Sequence, residues 1–199
     1  MRDLKLFPPR RPPARVHTPR RSAFLGTSLD GFIARKDGGI DFLEAAGGGA
    51  TAEEGAEDFG YAVFIARIDA LVMGRASFEK VLTFDAWPYE RPVFVLTHRP
   101  LDVPGRLAGK VEAMSGAPGE VVAALEKRGL VRLYIDGGKT VQSFLDAGLL
   151  DEITVTRLPV LIGEGIPLFG PLRKDVHLRH VATRAFPGGL VQSTYEIAR

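Results

Sequence analysis

The segment from Leu133 to Leu145, LYIDGGKTVQSFL, combines residue types that bind anions. Its apolar start predicts a strand, and Asp136, Gly137, Gly138 and Lys139 then lead into an apolar pattern of helical period. Glycine lets the backbone approach a ligand closely, and the first turn of a helix offers unpaired N–H groups and a positive dipole end. Because Lys139 adds a full charge, the segment predicts a phosphate site and hence a nucleotide-like ligand.

This turn matches neither of the common phosphate-binding loops. A P-loop has a first glycine five residues before the glycine-lysine pair, and Leu133 occupies that position here. The G-x-G-x-x-G pattern of a Rossmann turn is also absent from this segment. An ordinary tight turn that happens to carry a lysine therefore stays open as an alternative.

Two further predicted strands end in small, hydroxyl or cationic residues. The apolar run 71–73 is followed by Gly74, Arg75 and Ser77, and the run 93–96 is followed by Thr97, His98 and Arg99. Ligands of parallel α/β sheets bind at the carboxyl ends of strands. Three such ends along one edge predict a site for one extended, polyanionic cofactor. In the plainer alternative, Arg75 is a solvated residue at a helix start and 98–99 an exposed loop.

The order and spacing of these segments resemble the dihydrofolate reductases, and more closely the reductase domain of bacterial riboflavin biosynthesis. The matching segments cover the chain from about residue 22 to 197 and are, in order, TSLDGFIA (27–34), MGRASF (73–78), THR (97–99), the Gly-Gly turn (137–138) and LPVLIGEGIPLFG (158–170). The resemblance implies a dihydrofolate-reductase-like α/β fold with NADPH as hydride donor, and it leaves the substrate open.

The resemblance also implies roles for individual residues. One phosphate-binding turn would contain Gly74, Arg75 and Ser77, and the adenosine ribose with its 2′-phosphate would lie near Leu96, Thr97, His98 and Arg99. The pyrophosphate and the nicotinamide side would be held by Asp136, Gly137, Gly138, Lys139, Thr140 and Val141, with Thr27 on the first strand. An acidic residue at 97–99 would favour NAD, and none is present.

The catalytic group is the part of the site that the sequence defines least. Dihydrofolate reductases carry a carboxylate on their first helix, and the nearest acids here are Asp41 and Glu44. Asp30 lies in the Ser-Leu-Asp-Gly segment, which is equally typical of a hairpin turn. Glu164 lies between two glycines in the late loop, where a solvent-facing turn residue is the alternative. We therefore predict Asp41, Asp30 and Glu164 as candidate catalytic residues.

The N-terminal residues differ in composition from the rest of the chain. Residues 1–21 contain seven Lys/Arg, one acid and five of the fourteen prolines, whereas residues 22–199 contain nineteen bases and twenty-three acids. We expect a basic, proline-rich and disordered arm at 1–21 and one dihydrofolate-reductase-like domain at 22–199. The chain has no cysteine and no apolar run near 18 residues, so we predict a cytoplasmic protein without disulfides, metal or membrane span.

Alternating strand and helix patterns predict an α/β fold. We expect a mostly parallel central sheet, helices on both faces and a C-terminal antiparallel hairpin over residues 176–184 and 190–197. The first strand is expected at 23–27, and a helix is expected at 51–68 with Thr51 and Glu54 as its capping box.

The favoured function is an NADPH-dependent reductase of a small heterocyclic (pterin-like or riboflavin-precursor-like) or carbonyl substrate. A non-catalytic nucleotide-binding protein, or a phosphotransferase that uses GGKT as a phosphate loop, stays open. No nucleic-acid or membrane partner is expected. The apolar stretch 153–169 would exceed one strand face, so we expect a homodimer, unless these residues pack under the terminal hairpin.

Overall fold

A computed structural model describes residues 20–45 and 58–198 of the chain. The strands are β1 (Arg21–Thr27), β2 (Phe32–Ala34), β3 (Ala70–Gly74), β4 (Val93–Leu96), β5 (Val111–Met114), β6 (Leu133–Asp136), β7 (Glu152–Arg157), β8 (Ile166–Pro167), β9 (Leu178–Ala185) and β10 (Val191–Ile197). The helices are α1 (Asp41–Glu44), α2 (Tyr61–Ala66), α3 (Arg75–Val81), α4 (Pro118–Lys127) and α5 (Gly138–Asp146).

Eight strands form one sheet in the order β5-β4-β3-β6-β1-β7-β10-β9. The neighbours from β5 to β7 all pair in parallel, and β10 pairs antiparallel with both β7 and β9. This arrangement confirms the predicted parallel sheet with a C-terminal antiparallel hairpin. Within the described ranges, no helix is both long enough and apolar enough to cross a bilayer.

The inner strands are apolar on both sides because helices cover both faces of the sheet. Ala70 and Val72 pack with α4 and α5 on one face, while Leu71 and Met73 pack with α2 and α3 on the other. Successive side chains of a strand point to opposite faces, so a continuous apolar run is what a doubly covered strand requires. Helices on both faces, as predicted, therefore follow from the residue pattern of β3.

The first strand starts earlier than predicted, at Arg21 instead of residue 23. The backbone N–H groups of Arg20 and Arg21 both donate to a carboxylate oxygen of Asp151, and the Arg21 side chain is almost fully buried. These two arginines, assigned by sequence to the arm, therefore belong to the domain. The rest of the arm, 1–19, lies outside the described residues.

Two local predictions were wrong. The helix expected over 51–68 is not continuous, because Phe59 has a φ of 55° and Gly60 a φ of 83°, and among the described residues α2 starts only at Tyr61. Its predicted cap at 51–54 lies outside the described residues. Asp30 and Gly31 do form a turn, but the flanking strands do not pair as a hairpin, because β2 pairs with β8 instead.

The apolar stretch 153–169 is largely internal. Its strand, β7, is not at an edge of the sheet, since it lies between β1 and β10. Ile153, Leu158 and Leu168 are buried, whereas Leu161 and Phe169 are exposed. The edge strand on this side of the sheet is β9, and all of its residues are exposed.

Candidate functional site

The sheet order brings the three predicted strand ends together. β3 pairs in parallel with β4 on one side and with β6 on the other, so Gly74, Leu96 and Asp136 end neighbouring strands. β1 is the next strand along, and its last residue, Thr27, is buried at the same edge. The expectation of a single site at one edge of the sheet therefore agrees with the topology.

The turns after β3 and β6 pack directly against each other. A Cβ at Gly74 would lie 3.2 Å from the Thr140 hydroxyl, and a Cβ at Gly137 would collide with the Ser77 hydroxyl. Gly137 also has a φ of 84°, a backbone angle that residues other than glycine rarely adopt. The two glycines thus allow two strand-to-helix turns to share one surface.

The amino end of α5 has no side-chain cap. Its N-cap is Gly137, which has no side chain that could cap the helix. The Gly137 carbonyl accepts from the Val141 N–H at 2.9 Å. The N–H groups that precede Val141 in the helix therefore point to the carboxyl edge without a side-chain cap. Lys139 is exposed and has no ion pair in the described part of the chain. Val141 itself is fully buried in the core, so its side chain is not at the surface of the site.

Arg75 joins the β3 turn to the end of β4. Its Nε donates to Thr97 Oγ1 at 3.1 Å, and its Nη2 donates to the Arg99 and Pro100 carbonyls at 2.9 and 2.5 Å. A further contact at 3.3 Å reaches Glu79. These contacts occupy the guanidinium, so Arg75 shapes the 97–100 loop, whereas the His98 and Arg99 side chains are exposed.

The three candidate catalytic acids are all exposed and already bonded to protein groups. Asp41 forms a bidentate pair with Arg35 at 2.6 and 2.8 Å, and this hydrogen bond lowers the pKa of Asp41. Asp30 accepts from the Gly163 N–H at 2.8 Å, and hydrogen bonds, above all from Ser28, lower its pKa. Glu164 is ion-paired with Lys36.

Asp136, which the sequence places in the cofactor turn, lies in a different environment from these three exposed acids. Burial raises the pKa of its carboxyl above the usual value, and hydrogen bonds from Tyr134 and the Gly137 backbone only partly offset this. The Tyr134 hydroxyl lies 2.8 Å from the Phe24 carbonyl oxygen and 3.2 Å from Asp136 Oδ1. When the hydroxyl donates its one proton to Phe24, its oxygen can accept only from a protonated Asp136.

The sequence assigned Asp136 to the cofactor turn but did not indicate its environment. Burial raises the pKa of Tyr61, Tyr89 and Tyr134, and the charge of the nearby Asp136 raises it further. Tyr61 precedes β3 in the chain and Tyr89 precedes β4, so no local pattern connects them to β6. The available signal was the residue type: an acid directly at the end of an otherwise apolar strand.

A surface cleft among the described residues lies elsewhere. It measures about 400 Å³ and is lined by Arg20, Asp69, Gly129, Val131 and Arg132. These residues precede β1, β3 and β6, so the cleft is at the amino end of the sheet. Ligands of such sheets bind at the carboxyl end, which favours the Asp136 edge as the functional site.

The chain is similar to proteins of known sequence and known structure. The family model of the RibD C-terminal domain matches residues 22–192. The uncharacterized protein YwjB of Bacillus subtilis (strain 168) is 33% identical over 176 residues, which cover 86% of this chain and 94% of that protein. A putative riboflavin biosynthesis protein from Shewanella sp. PV-4, of known crystal structure, is 39% identical; the match covers 90% of this chain and 99% of that one, with a TM-score of 0.82.

The architecture extends to dihydrofolate reductases. The enzyme from Enterococcus faecalis, solved with NADP(H), superposes with a TM-score of 0.59 at 18% identity, and the match covers 90% of this chain and 96% of that one. This similarity shows the dihydrofolate-reductase-like fold that the motif order predicted. The family match, the similar Shewanella structure and this fold together show that the chain is a member of the RibD C-terminal domain family.

Proposed function

We propose that this chain is an NADPH-dependent reductase that transfers hydride to a small heterocyclic or carbonyl substrate. The proposal rests on the carboxyl ends of β4, β3 and β6. There, the amino end of α5, which has no side-chain cap, lies next to Asp136, a partly buried acid. Membership of the RibD C-terminal domain family supports a reductase in preference to the phosphotransferase or the non-catalytic nucleotide-binding protein.

The cofactor site would be built from the two interlocked turns. The N–H groups at the start of α5 and the Lys139 ammonium would bind the pyrophosphate, since both present positive charge to an anion. His98 and Arg99, exposed beside Thr97, would face the 2′-phosphate, and Arg75 would hold their loop in place through the bonds to Thr97 and the Arg99 carbonyl. NADPH, when bound, supplies the hydride.

Asp136 would supply the proton that balances the hydride. A general acid must hold a proton near neutral pH and release it in the transition state, and the raised pKa of Asp136 moves the carboxyl toward that range. Asp30 and Asp41 are held in the charged form by their hydrogen bonds, so neither is prepared to donate a proton. Our proposal therefore assigns the acid role to Asp136 in their place.

The test is NADPH oxidation, followed at 340 nm, against a panel of a dihydropterin, a ribosylaminopyrimidine and simple carbonyl compounds. We expect turnover with at least one class, and tighter binding of NADPH than of NADH by calorimetry. Equal affinity for the two cofactors would contradict the assignment of the 2′-phosphate site, and absence of turnover across the panel would contradict the reductase proposal.

We also propose that the chain forms a homodimer, for which β9 supplies the support. This edge strand is exposed along its whole length, and Leu178 and Val181 on it are 45% and 46% exposed. An open edge that carries exposed apolar residues is a surface that a second copy could cover. Sedimentation at micromolar concentration tests this, and a single species at the 21.6 kDa monomer mass would contradict it.

A further inference from the structure

Tyr134 connects two strands whose backbone pairing stops before the carboxyl end of the sheet. The pairing between β1 and β6 ends at Ser22 and Tyr134, whereas β1 stays paired with β7 as far as Thr27. Past the last β1–β6 pair, the Tyr134 hydroxyl lies 2.8 Å from the Phe24 carbonyl oxygen on β1 and 3.2 Å from Asp136 Oδ1 on its own strand. A single hydroxyl therefore connects the proposed proton donor to a backbone acceptor on the neighbouring strand.

This connection is enclosed by the protein. Tyr134 is only 6% exposed, and its ring contacts the Phe64 ring of α2 edge to face, with centroids 5.0 Å apart. Tyr134 and Asp136 are two residues apart on one strand, so both side chains point to the face of the sheet that α2 and α3 cover. The Tyr134 hydroxyl is therefore held among protein groups, and its bonds to them determine where its proton points.

The hydroxyl has one proton and two acceptors within reach. While Asp136 is protonated, Tyr134 can donate to the Phe24 carbonyl and accept from the carboxyl, so both contacts are satisfied. Once Asp136 has lost its proton, the same hydroxyl can turn and donate to the carboxylate, beside the Gly137 N–H that also bonds to it. The phenol remains a donor in both states, because burial and the nearby Asp136 charge raise the pKa of Tyr134.

We propose that Tyr134 is a positioning residue for the acid step: its hydroxyl turns from the Phe24 carbonyl to the Asp136 carboxylate as Asp136 gives its proton to the substrate. This inference rests on the proposed reductase function and adds a residue to it. The O–H bond of Tyr134 rotates and does not break, so the only proton transferred is that of Asp136. The new carboxylate gains a charge-assisted hydrogen bond where its charge develops, and such bonds are about twice as strong as neutral ones.

Other titratable groups lie near Asp136. Burial raises the pKa of the Tyr61 and Tyr89 phenols, and the Asp136 charge raises it further, so both are neutral when Asp136 titrates. The charged side chains on or beside the neighbouring helices α2, α3 and α5 are those of Asp58, Arg67, Arg75, Glu79, Lys80, Lys139 and Asp146. Tyr134→Phe leaves all of these groups in place, so a change in the titration of Asp136 can be assigned to the Tyr134 hydroxyl.

The test is the pKa of Asp136, measured by ¹³C NMR of the carboxyl carbon in the full chain labelled with ¹³C-aspartate. The Asp136 signal is identified by its loss in Asp136→Asn. We expect Tyr134→Phe to raise the pKa of Asp136 by about 1 pH unit, because the ring stays and the carboxylate loses a donor. The matched control is Tyr61→Phe, which removes a phenol that interacts with Asp136 through charge and should leave the pKa near its wild-type value. A pKa that is unchanged or lowered in Tyr134→Phe, or raised equally in Tyr61→Phe, overturns the inference.

Steady-state kinetics of Tyr134→Phe give a second readout, with the best substrate of the panel. A general acid loses activity as pH rises through its pKa, so we expect the alkaline limb of the kcat profile to move to higher pH. We also expect kcat to fall about 10-fold with KM nearly unchanged, since the lost bond is made to the developing charge. A fall in kcat without movement of the alkaline limb would indicate a packing defect and overturn the positioning role.

The two proposals fail in different ways. A raised pKa of Asp136 in Tyr134→Phe without NADPH oxidation by the wild type would contradict the reductase function and leave the bond between Tyr134 and the carboxylate standing. NADPH oxidation by the wild type, with the same Asp136 pKa in Tyr134→Phe, would overturn the role of Tyr134 and leave the reductase function standing.

Discussion

At the amino end of the sheet, Asp151 accepts hydrogen bonds from the backbone of Arg20 and Arg21 and is ion-paired with the Arg21 guanidinium at 3.2 Å. At the carboxyl end, Asp136 is also surrounded by protein, but it has no basic partner among the described residues. The parallel sheet therefore has a carboxylate paired with a cation, Asp151, at its amino end. At its carboxyl end it has Asp136, which is not paired with a cation among the described residues. A partly buried carboxylate without a cation costs stability, which is consistent with the catalytic role that we propose for Asp136.

The largest effect is expected from Asp136→Asn. The amide keeps the shape of the side chain and cannot donate the acid proton, so we expect kcat to fall about 100-fold or more. Steady-state assays with the best substrate of the panel provide the measurement. A variant with wild-type kcat would remove Asp136 from the chemistry and would weaken the contrast between the two ends.

For the same variant we predict that the difference in stability from wild type depends on pH. Burial raises the folded-state pKa of Asp136 above its ordinary value of 3.8, so the folded chain binds this proton more tightly than the unfolded chain does. This contribution to stability is present below pH 3.8 and is lost as pH rises through the folded pKa. We therefore expect Asp136→Asn to gain stability relative to wild type as pH rises from 4 to 8, measured by urea unfolding. A difference that does not change with pH would contradict the raised pKa.

Removing Asp151, the paired carboxylate, should lower stability and leave catalysis nearly unchanged. Asp151→Ala leaves the buried Arg21 guanidinium without its closest anion and two backbone N–H groups without their acceptor. We expect the free energy of unfolding to fall by about 3 kcal/mol, with little change in kcat of the folded enzyme. Urea unfolding and an activity assay on the same preparation measure both quantities. A large loss of kcat at full stability would show that the two ends are not separate in function.

A smaller effect is expected at the cofactor turns. Lys139→Ala removes an exposed cation from the start of α5, and we expect the Kd for NADPH to rise about 10-fold, since one charge-assisted contact is lost. Arg75→Ala should also weaken NADPH binding, and more than NADH binding, because the 97–100 loop loses the bonds that shape it. Calorimetry of both cofactors tests this, and an unchanged NADPH affinity in Lys139→Ala would argue against this turn as the pyrophosphate site.

The smallest effect is expected from Glu164→Gln. Glu164 and Lys36 form an exposed pair, with side chains 71% and 67% accessible, and such pairs contribute less than about 1 kcal/mol to stability. We expect kcat and the midpoint of unfolding to stay near wild type. A loss of kcat comparable to that of Asp136→Asn would restore Glu164 as a catalytic candidate.

Local patterns predicted the strand ends well because the relevant information is local. The apolar runs before Gly74, Thr97 and Gly137 each specify a buried strand that stops at a turn, and the motif order indicated that these strands share one edge. The special character of Asp136 could not be predicted in this way. Its burial depends on Tyr61 and Tyr89, which reach it only after the sheet has formed.

Other errors have similarly physical causes. The helix predicted over 51–68 rested on the capping box of Thr51 and Glu54 and on apolar residues along one face, but left-handed backbone at Phe59 and Gly60 delays the start of α2 to Tyr61. The Asp30-Gly31 turn was predicted correctly, yet pairing partners are chosen by tertiary contacts, and β2 pairs with β8 from the far end of the chain. Turn chemistry predicts that the chain reverses direction, and it does not predict which strands then pair.

The central position of β1 has a consequence for how the protein is made. This strand is synthesised before both of its neighbours, β6 and β7, and Arg20 and its acceptor Asp151 are 131 residues apart. At the usual rate of synthesis, β1 would leave the ribosome roughly 6 to 25 seconds before β7. During that interval its apolar residues have no strand partner, so the centre of the sheet can close only after β7 has been made.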